Sequence, residues 1–254
     1  MAEEKKNEPG HEFLARLGKT RLRPGGREAT EWLLGHVDFT ADTRVLEVAC
    51  NMGTTTAELV KKYGCHVTAL DLDAQALAKA RKNLAASCSA GRVSFVEGDA
   101  TALPFPDGSF DVVINEAMLT MLNPESRAKA VAEYFRVLKR GGVLLTQDVM
   151  LTEESPELVQ GLSRAINVRV YPLTGTEWRK VFEERGFSGL EVREGPITLM
   201  SFKGMIYDEG LWGALRIFLN GRKKENREFF GRMSGFFNAH RRQLNYIAVV
   251  GTKA

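Results

Sequence analysis

VLEVACNMGTT, residues 45–55, joins a short apolar run to a glycine-bearing turn and then to a polar stretch that can start a helix. A strand that passes through such a turn into a helix opens a βαβ unit, and exposed backbone N–H groups at the turn can contact a ligand. Gly53 is the single glycine of this turn, whereas a dinucleotide site needs G-x-G-x-x-G and a P-loop ends in Gly-Lys-Ser/Thr. The turn therefore disfavours pyrophosphate binding and excludes a P-loop.

Short β-rich runs alternate with runs of helical period along most of the chain, which is typical of a largely parallel α/β sheet. The strand candidates are VLEVA (45–49), HVTAL (66–70), VSFVE (93–97), DVVIN (111–115), VLLTQ (143–147), LEVRE (190–194) and YIAVVGT (246–252). Between them, apolar residues recur at helical spacing. The sequence predicts a seven-stranded, largely parallel α/β sheet with helices on both faces.

Two segments fall outside this alternation. Residues 1–36 form an expected N-terminal helical arm, and residues 199–242 form an expected helical insert before the last strand. Residues 37–198 and 243–254 then make up the core. The insert carries two apolar stripes at helical spacing: Leu211, Trp212, Leu215, Phe218 and Leu219, and Phe229, Phe230, Met233, Phe236 and Phe237. We expect two amphipathic helices whose stripes are both covered.

Composition and charge restrict the class of protein. The 254 residues are 44% hydrophobic and 26% charged, which is an ordinary globular composition. No uncharged stretch exceeds ten residues, about half of what a membrane span needs. The first ten residues, MAEEKKNEPG, lack the apolar core of a secretory signal. These features predict a cytoplasmic protein without a transmembrane segment.

The net charge of +3 is unevenly distributed, since residues 199–254 hold ten basic and four acidic side chains. This basic segment leaves nucleic acid open as a partner. None of the three cysteines, Cys50, Cys65 and Cys88, has a Cys or His neighbour at the two-to-four-residue spacing of a zinc site. We therefore expect buried free thiols and no metal.

Acidic residues end three successive strand candidates: Glu47 lies within the first, Asp71 closes the second and Asp99 follows the third. Carboxyl ends of parallel strands meet at one edge of a sheet, so these side chains should converge on one crevice. A row of carboxylates suits a ligand that offers hydroxyls, an amino group and a positive charge.

At this point the sequence resembles the class I S-adenosylmethionine-dependent methyltransferases, and in particular the type 11 group of quinone-biosynthesis and small-molecule enzymes, over about residues 40–150. That resemblance implies a Rossmann-like fold and S-adenosylmethionine as cofactor, with S-adenosylhomocysteine as product and no metal. The family's acidic residue and G-x-G-x-G motif correspond to Glu47, Ala49, Asn51 and Gly53, so two of three glycines are replaced.

Other site residues follow from the same resemblance. Asp71 would bind the two ribose hydroxyls, and Leu72 would lie against the adenine. Asp99 would accept from the adenine amino group, with the Ala100 N–H nearby. The remaining cofactor-binding candidates are Asn115, at the end of the fourth strand, and Arg21 in RLRPGG (21–26). In that segment Arg21 or Arg23 would meet the cofactor's carboxylate.

Methyl transfer from a sulfonium is an in-line displacement, so the protein mainly aligns the reactants. Where the acceptor loses a proton, a carboxylate, His or Tyr can take it. Glu116 and Asp148 directly follow the fourth and fifth strands, and Tyr171 opens a loop that resembles the wall of an acceptor pocket. These three residues are the candidate catalytic residues, and His11 is a weaker candidate.

Three functions remain open. The first is methyl transfer to a small-molecule acceptor, which the apolar insert favours. The second is modification of nucleic acid. Against it, the phenylalanines of the insert share one helical stripe and should be buried, whereas base stacking needs exposed rings. The chain also has NEAM (115–118) after the fourth strand, where an N-P-P-[YF]-like motif would be expected. The third is a noncatalytic binding module with an altered glycine turn.

The insert itself could form a lid over the acceptor, a homodimer surface or a basic membrane-surface patch, or it could simply pack into the core.

Overall fold

The computed structural model describes residues 8–85 and 91–254. The strands in these ranges are β1 (Arg44–Val48), β2 (His66–Asp71), β3 (Val93–Glu97), β4 (Phe110–Glu116), β5 (Leu138–Leu151), β6 (Leu173–Thr174), β7 (Phe187–Pro196) and β8 (Leu244–Lys253). The helices there are α1 (Gly10–Leu17), α2 (Gly26–Leu34), α3 (Thr54–Tyr63), α4 (Ala74–Ala85), α5 (Pro124–Val137), α6 (Pro156–Ile166), α7 (Gly175–Glu183), α8 (Phe202–Arg222) and α9 (Arg227–Ala239). None of these helices combines the length and apolarity that crossing a bilayer requires.

The strands form one sheet in the order β3-β2-β1-β4-β5-β8-β7, and the two-residue β6 pairs with β5 outside this path. β8 is antiparallel to β5 and β7, and the other neighbours are parallel. The seven predicted strands and the largely parallel α/β fold are confirmed. β6 is too short to show a hydrophobic period, so the sequence does not predict it. Because β2 and β4 flank β1 on opposite sides, a crevice opens at the carboxyl ends of these strands.

Capping residues fix where the covering helices begin. The Asn123 side chain accepts a hydrogen bond from the Ser126 N–H at 2.9 Å, and Pro124 occupies the first turn of α5. Thr174 and Glu177 form a capping box at the start of α7. Both helices then pack on the sheet with Tyr134, Trp178 and other side chains fully buried.

An apolar cluster joins the N-terminal arm to the insert. Phe13, Leu14 and Leu17 on α1 are each 1% exposed and pack against α8 and α9. The rings of Phe13 and Phe229 stack with centroids 4.5 Å apart. Residues more than 200 positions apart in sequence therefore share one core beside the carboxyl edge of the sheet.

The prediction that both apolar stripes of the insert are covered is right for α9 and wrong for α8. On α9, Phe230 and Met233 are buried, whereas four of the five α8 residues, Leu211, Trp212, Leu215 and Leu219, are exposed. The chain leaves helical geometry at Gly210, where φ is +73°, and α8 then turns its small residues inward. A Cβ on Gly221 would lie 2.6 Å from the Phe230 ring, so this face permits a closer helix contact than the leucine face does.

Cys50 and Cys65 are buried and free, as the sequence predicts. Burial raises the pKa of both thiols, which keeps them protonated and suits a packing role. Cys88 lies outside the described residues. Within the described ranges, no group of three or more His, Cys, Asp or Glu side chains is placed to hold a metal ion.

The close contact between α8 and α9 gives a paired test of stability. We expect Gly221→Ala to lower the free energy of unfolding by about 1–3 kcal/mol, because the new methyl group meets the Phe230 ring. Gly235→Ala on α9 enters open space and should raise it by about 0.5–1 kcal/mol. Urea denaturation of the two variants measures both changes, and equal effects of the same sign would contradict the helix packing.

Candidate functional site

A cavity of about 580 Å³ lies at the carboxyl ends of β1, β2 and β4, closed on one side by the N-terminal arm. Its walls include the turn after β1, the loops after β2 and β3, and residues 116–118 after β4. A volume of this size is typical of a site for a nucleotide-sized ligand. The cavity therefore occupies the crevice that the strand order predicts.

The turn after β1 keeps a glycine-like backbone without its glycines. Ala49, Asn51 and Gly53 have φ values of +57°, +48° and +71°, all in the left-handed region. Asn tolerates this conformation, while Ala49 is strained by roughly 1 kcal/mol. The Asn51 N–H donates to Asp71 Oδ2 at 2.8 Å, which ties the turn to the end of β2.

Asp71, Leu72 and Asp99 line one end of the cavity. Asp71 Oδ1 accepts from the Asp73 N–H at 3.0 Å, and Asp99 Oδ1 accepts from the Thr101 N–H at 2.8 Å. A carboxylate has about four acceptor positions, so both side chains keep the capacity to bind hydroxyl or amino donors. Leu72 is 71% exposed and presents an apolar face beside them, and Ala100 lies on the same wall.

Glu47 lines the cavity deep in the sheet, where Thr56 Oγ1 donates to its carboxyl group. Burial raises the pKa of Glu47 to about 8, with a smaller contribution from the negative charge of Glu116, although the Thr56 hydrogen bond opposes the shift. Glu47 is therefore mostly protonated at neutral pH.

Glu116 sits at the end of β4, where four side chains donate to its carboxylate. Thr30 Oγ1 donates at 2.6 Å, Thr55 Oγ1 at 2.8 Å and Gln147 Nε2 at 2.6 Å, and the Arg23 guanidinium completes the set. We call these five residues the Glu116 network. Glu116 lines the cavity as predicted. Its acceptor positions are engaged, however, so the geometry favours a positioning role over the predicted role in proton transfer.

Five predicted residues do not line this cavity: Arg21, Gly53, Asn115, Asp148 and Tyr171. Arg21 instead donates to Glu58 at 3.1 Å and to the Asp208 carbonyl at 3.0 Å, whereas Arg23 lines the cavity. Asn115 is buried below the turn, where its amide donates to the Val48 carbonyl at 3.3 Å. Gly53 packs against α4. Tyr171 lies under the Arg169 guanidinium and lines neither this cavity nor the smaller one beside it.

A second cavity of about 80 Å³ adjoins the first and is lined mainly by apolar side chains of α1, α6, α9 and β5. The two cavities share four residues: His11, Leu22, Ala117 and Met121. Asp148 lines the second cavity and accepts from the Thr120 and Val149 N–H groups at 3.0 and 2.8 Å. Burial raises the pKa of Asp148.

His11 stands where the two cavities meet. Burial lowers the pKa of His11, although the carboxylates of Glu12, Asp71 and Asp73 oppose the shift, so the ring is mostly neutral at pH 7. Its Nδ1 atom is buried without a hydrogen-bond partner. The sequence gives little warning of this position, because a single histidine on a short helix carries no pattern. Gln147 is missed because a single glutamine within a strand carries no pattern either.

Comparison with known proteins shows the family of this chain. A family model described as a methyltransferase domain matches residues 45–142. The ubiquinone/menaquinone biosynthesis C-methyltransferase UbiE of Methylobacterium nodulans is 33% identical over 183 residues, which cover 70% of this chain and 69% of that protein. The chain belongs to the class I S-adenosylmethionine-dependent methyltransferases. The resemblance that the sequence shows is thereby confirmed.

Two further comparisons extend over nearly the whole of this methyltransferase. An uncharacterised protein of Haemophilus influenzae is 53% identical and covers 98% of this chain and 99% of that protein. Phosphoethanolamine N-methyltransferase 2 of Haemonchus contortus, solved with phosphomonomethylethanolamine and S-adenosylhomocysteine, shares the fold with a TM-score of 0.75 at 20% identity, over 96% of this chain and 56% of that one. Matches to several other curated methyltransferases span only 25% to 52% of those proteins.

Glu47 makes stability depend on pH. Its folded pKa of about 8 exceeds the ordinary value of 4.5, so its contribution to stability is fully present below pH 4.5 and is lost as the pH rises towards 8. Glu47→Gln removes this titration. We expect urea unfolding between about pH 5 and pH 8 to show the wild type losing stability relative to Glu47→Gln. The exposed Glu153→Gln serves as control, and parallel curves for wild type and Glu47→Gln would contradict the assignment.

Proposed function

We propose that this methyltransferase transfers the methyl group of S-adenosylmethionine to a small acceptor with a largely apolar body. The observation that carries the proposal is the second cavity, which adjoins the larger one and shares His11, Leu22, Ala117 and Met121 with it. An apolar pocket with few polar groups suits a small molecule rather than a polymer. The insert contributes Met233 and Phe237 of α9 to its wall.

The residues of the larger cavity fit the cofactor. Asp71 offers two carboxylate oxygens to the two ribose hydroxyls, and the exposed Leu72 side chain offers an apolar surface to the adenine. Asp99 and the Ala100 N–H would bind the edge of that ring. The left-handed turn at residues 49–53 directs its backbone towards the methionine portion. When bound, S-adenosylmethionine supplies the electrophilic methyl group.

The protein's own contribution is alignment and proton removal. The apolar walls of the second cavity exclude water and hold the acceptor against the larger cavity, so that the acceptor atom is placed for in-line displacement. His11, which is mostly neutral at pH 7 and lines both cavities, accepts the proton that the acceptor loses. Asp148 is held by two backbone N–H groups and can orient a polar group of the acceptor.

Cofactor binding tests the first half of the proposal. Asp71→Ala removes charged hydrogen bonds and should weaken S-adenosylhomocysteine binding at least about tenfold in titration calorimetry. Asp42→Ala makes the same chemical change on the exposed loop before β1, at the opposite edge of the sheet, and should leave the affinity unchanged. If the wild type binds no S-adenosylhomocysteine, the protein is a noncatalytic member of the family and the proposal is wrong.

Proton removal tests the second half. We expect His11→Gln to lower kcat by about 100-fold or more, with S-adenosylhomocysteine affinity nearly unchanged. Product formation over a panel of small apolar phenols, thiols and amines gives the measurement. Because burial lowers the pKa of His11, the wild-type rate should rise with pH through a value below 6.5, and the variant should lack this limb. His36→Gln, at the end of α2, is the control. An unchanged pH profile in His11→Gln would assign the proton to another group.

A further inference from the structure

The outer face of α8 is an exposed apolar surface. Large hydrophobic side chains are exposed at seven positions of the described chain, and six of them lie on this one helix: Phe202, Tyr207, Leu211, Trp212, Leu215 and Leu219. The seventh, Leu72, lines the larger cavity. Trp212 is 79% exposed. Single exposed hydrophobic residues are ordinary, but the four that follow Gly210 within nine residues, Leu211, Trp212, Leu215 and Leu219, mark an interaction surface.

The fold itself directs these side chains outward. After Gly210, α8 buries Ala214, Ile217 and Gly221 against the cluster shared with α1 and α9. Leu211, Leu215 and Leu219 recur every four residues on the opposite face, and the next turn of the helix adds Trp212. To form a lid over the acceptor, the leucine face of α8 would have to turn towards the cavities. The opposite face of α8 already occupies the inward position, packed against α1 and α9.

The acidic residues of α8 are turned away from this surface. Asp208 Oδ2 accepts from Lys19 Nζ at 2.8 Å, and both side chains are buried. Glu209 Oε1 accepts from the Thr20 and Arg21 N–H groups at 2.7 and 3.0 Å. The N-terminal arm thus neutralises both carboxylates on the inner side of the helix.

Cations remain around the apolar surface. In residues 199–226 the exposed charged side chains are Lys203, Arg216, Arg222, Lys223, Lys224 and Glu225, five basic and one acidic. The Arg222 guanidinium lies 4.1 Å from the centroid of the Phe218 ring, beside the leucine face. A second copy of the chain docked through a two-fold axis would bring these cations against each other. An anionic surface complements them.

We propose that α8 binds the surface of an anionic lipid bilayer. Leu211, Trp212, Leu215 and Leu219 enter the headgroup region, and the surrounding lysines and arginines contact the lipid phosphates. An apolar helix face rimmed by basic residues is the pattern of a helix that lies in the plane of the interface, where tryptophan is favoured. The binding is peripheral, and each cation adds to it through the negative surface potential.

Vesicle flotation of the full-length protein tests this proposal. The protein should float with vesicles of phosphatidylcholine containing phosphatidylglycerol and bind at least about tenfold less to phosphatidylcholine alone. Leu211→Ser/Leu215→Ser should reduce binding to the anionic vesicles about tenfold or more, since two apolar side chains no longer enter the interface. Trp212 is the most exposed of the three tryptophans, so its emission should shift to the blue on binding.

Matched variants separate the alternatives. Lys223→Glu/Lys224→Glu should weaken flotation, whereas Lys79→Glu/Lys82→Glu, the same charge change on exposed positions of α4, should change it far less. Flotation that survives the leucine substitutions overturns the proposal. The alternative is that the protein does not float and sediments as a dimer, which Leu211→Ser/Leu215→Ser converts to a monomer. That result assigns the surface to a second copy of the chain and also overturns the proposal. Neither result affects the proposed function, because flotation requires no methyl acceptor.

Discussion

The Glu116 network is the constraint on which the arrangement of the active site depends. A carboxylate at the end of β4 is surrounded by donors from the N-terminal arm, α2, α3 and β5. Buried charge is tolerated only where such partners compensate it, and removal of one partner leaves the other unpaired. The network therefore fixes Arg23 and, through it, the course of the arm across the crevice. The position of His11 on α1 follows from that course.

A second buried ion pair extends this constraint to the surface. Lys19 and Asp208 join the arm to α8 at 2.8 Å, only four residues before Arg23 enters the Glu116 network. The orientation of α8 is thus set from inside, by the arm whose next residues line the larger cavity. The outward direction of Leu211 and Trp212 is set beyond the break at Gly210, where Ala214 and Ile217 occupy the inward face.

Sequence patterns predict what is local and repetitive. Strands with period two and acids at strand ends place Asp71 and Asp99 correctly at the crevice, because one βαβ unit determines both. The direction of α8 is not local: it depends on Ala214 and Gly221, whose small size permits close packing against residues elsewhere in the chain. Arg23 and Glu116 are 93 positions apart, and Gln147 and Gly25 are 122 apart. No periodicity relates such pairs, so the role of Glu116 emerges only from the folded chain.

The distribution of charge along the crevice suits the proposed chemistry. Asp71 and Asp99 keep acceptor capacity at one end, which suits a ligand with hydroxyl and amino donors. Towards the second cavity, Glu47 is mostly protonated, Glu116 is compensated by Arg23, and His11 is neutral. Displacement at a sulfonium disperses positive charge as the methyl group moves, and a strong local anion would stabilise the charged reactant more than the transition state. An end of the crevice with little net charge therefore favours the proposed transfer.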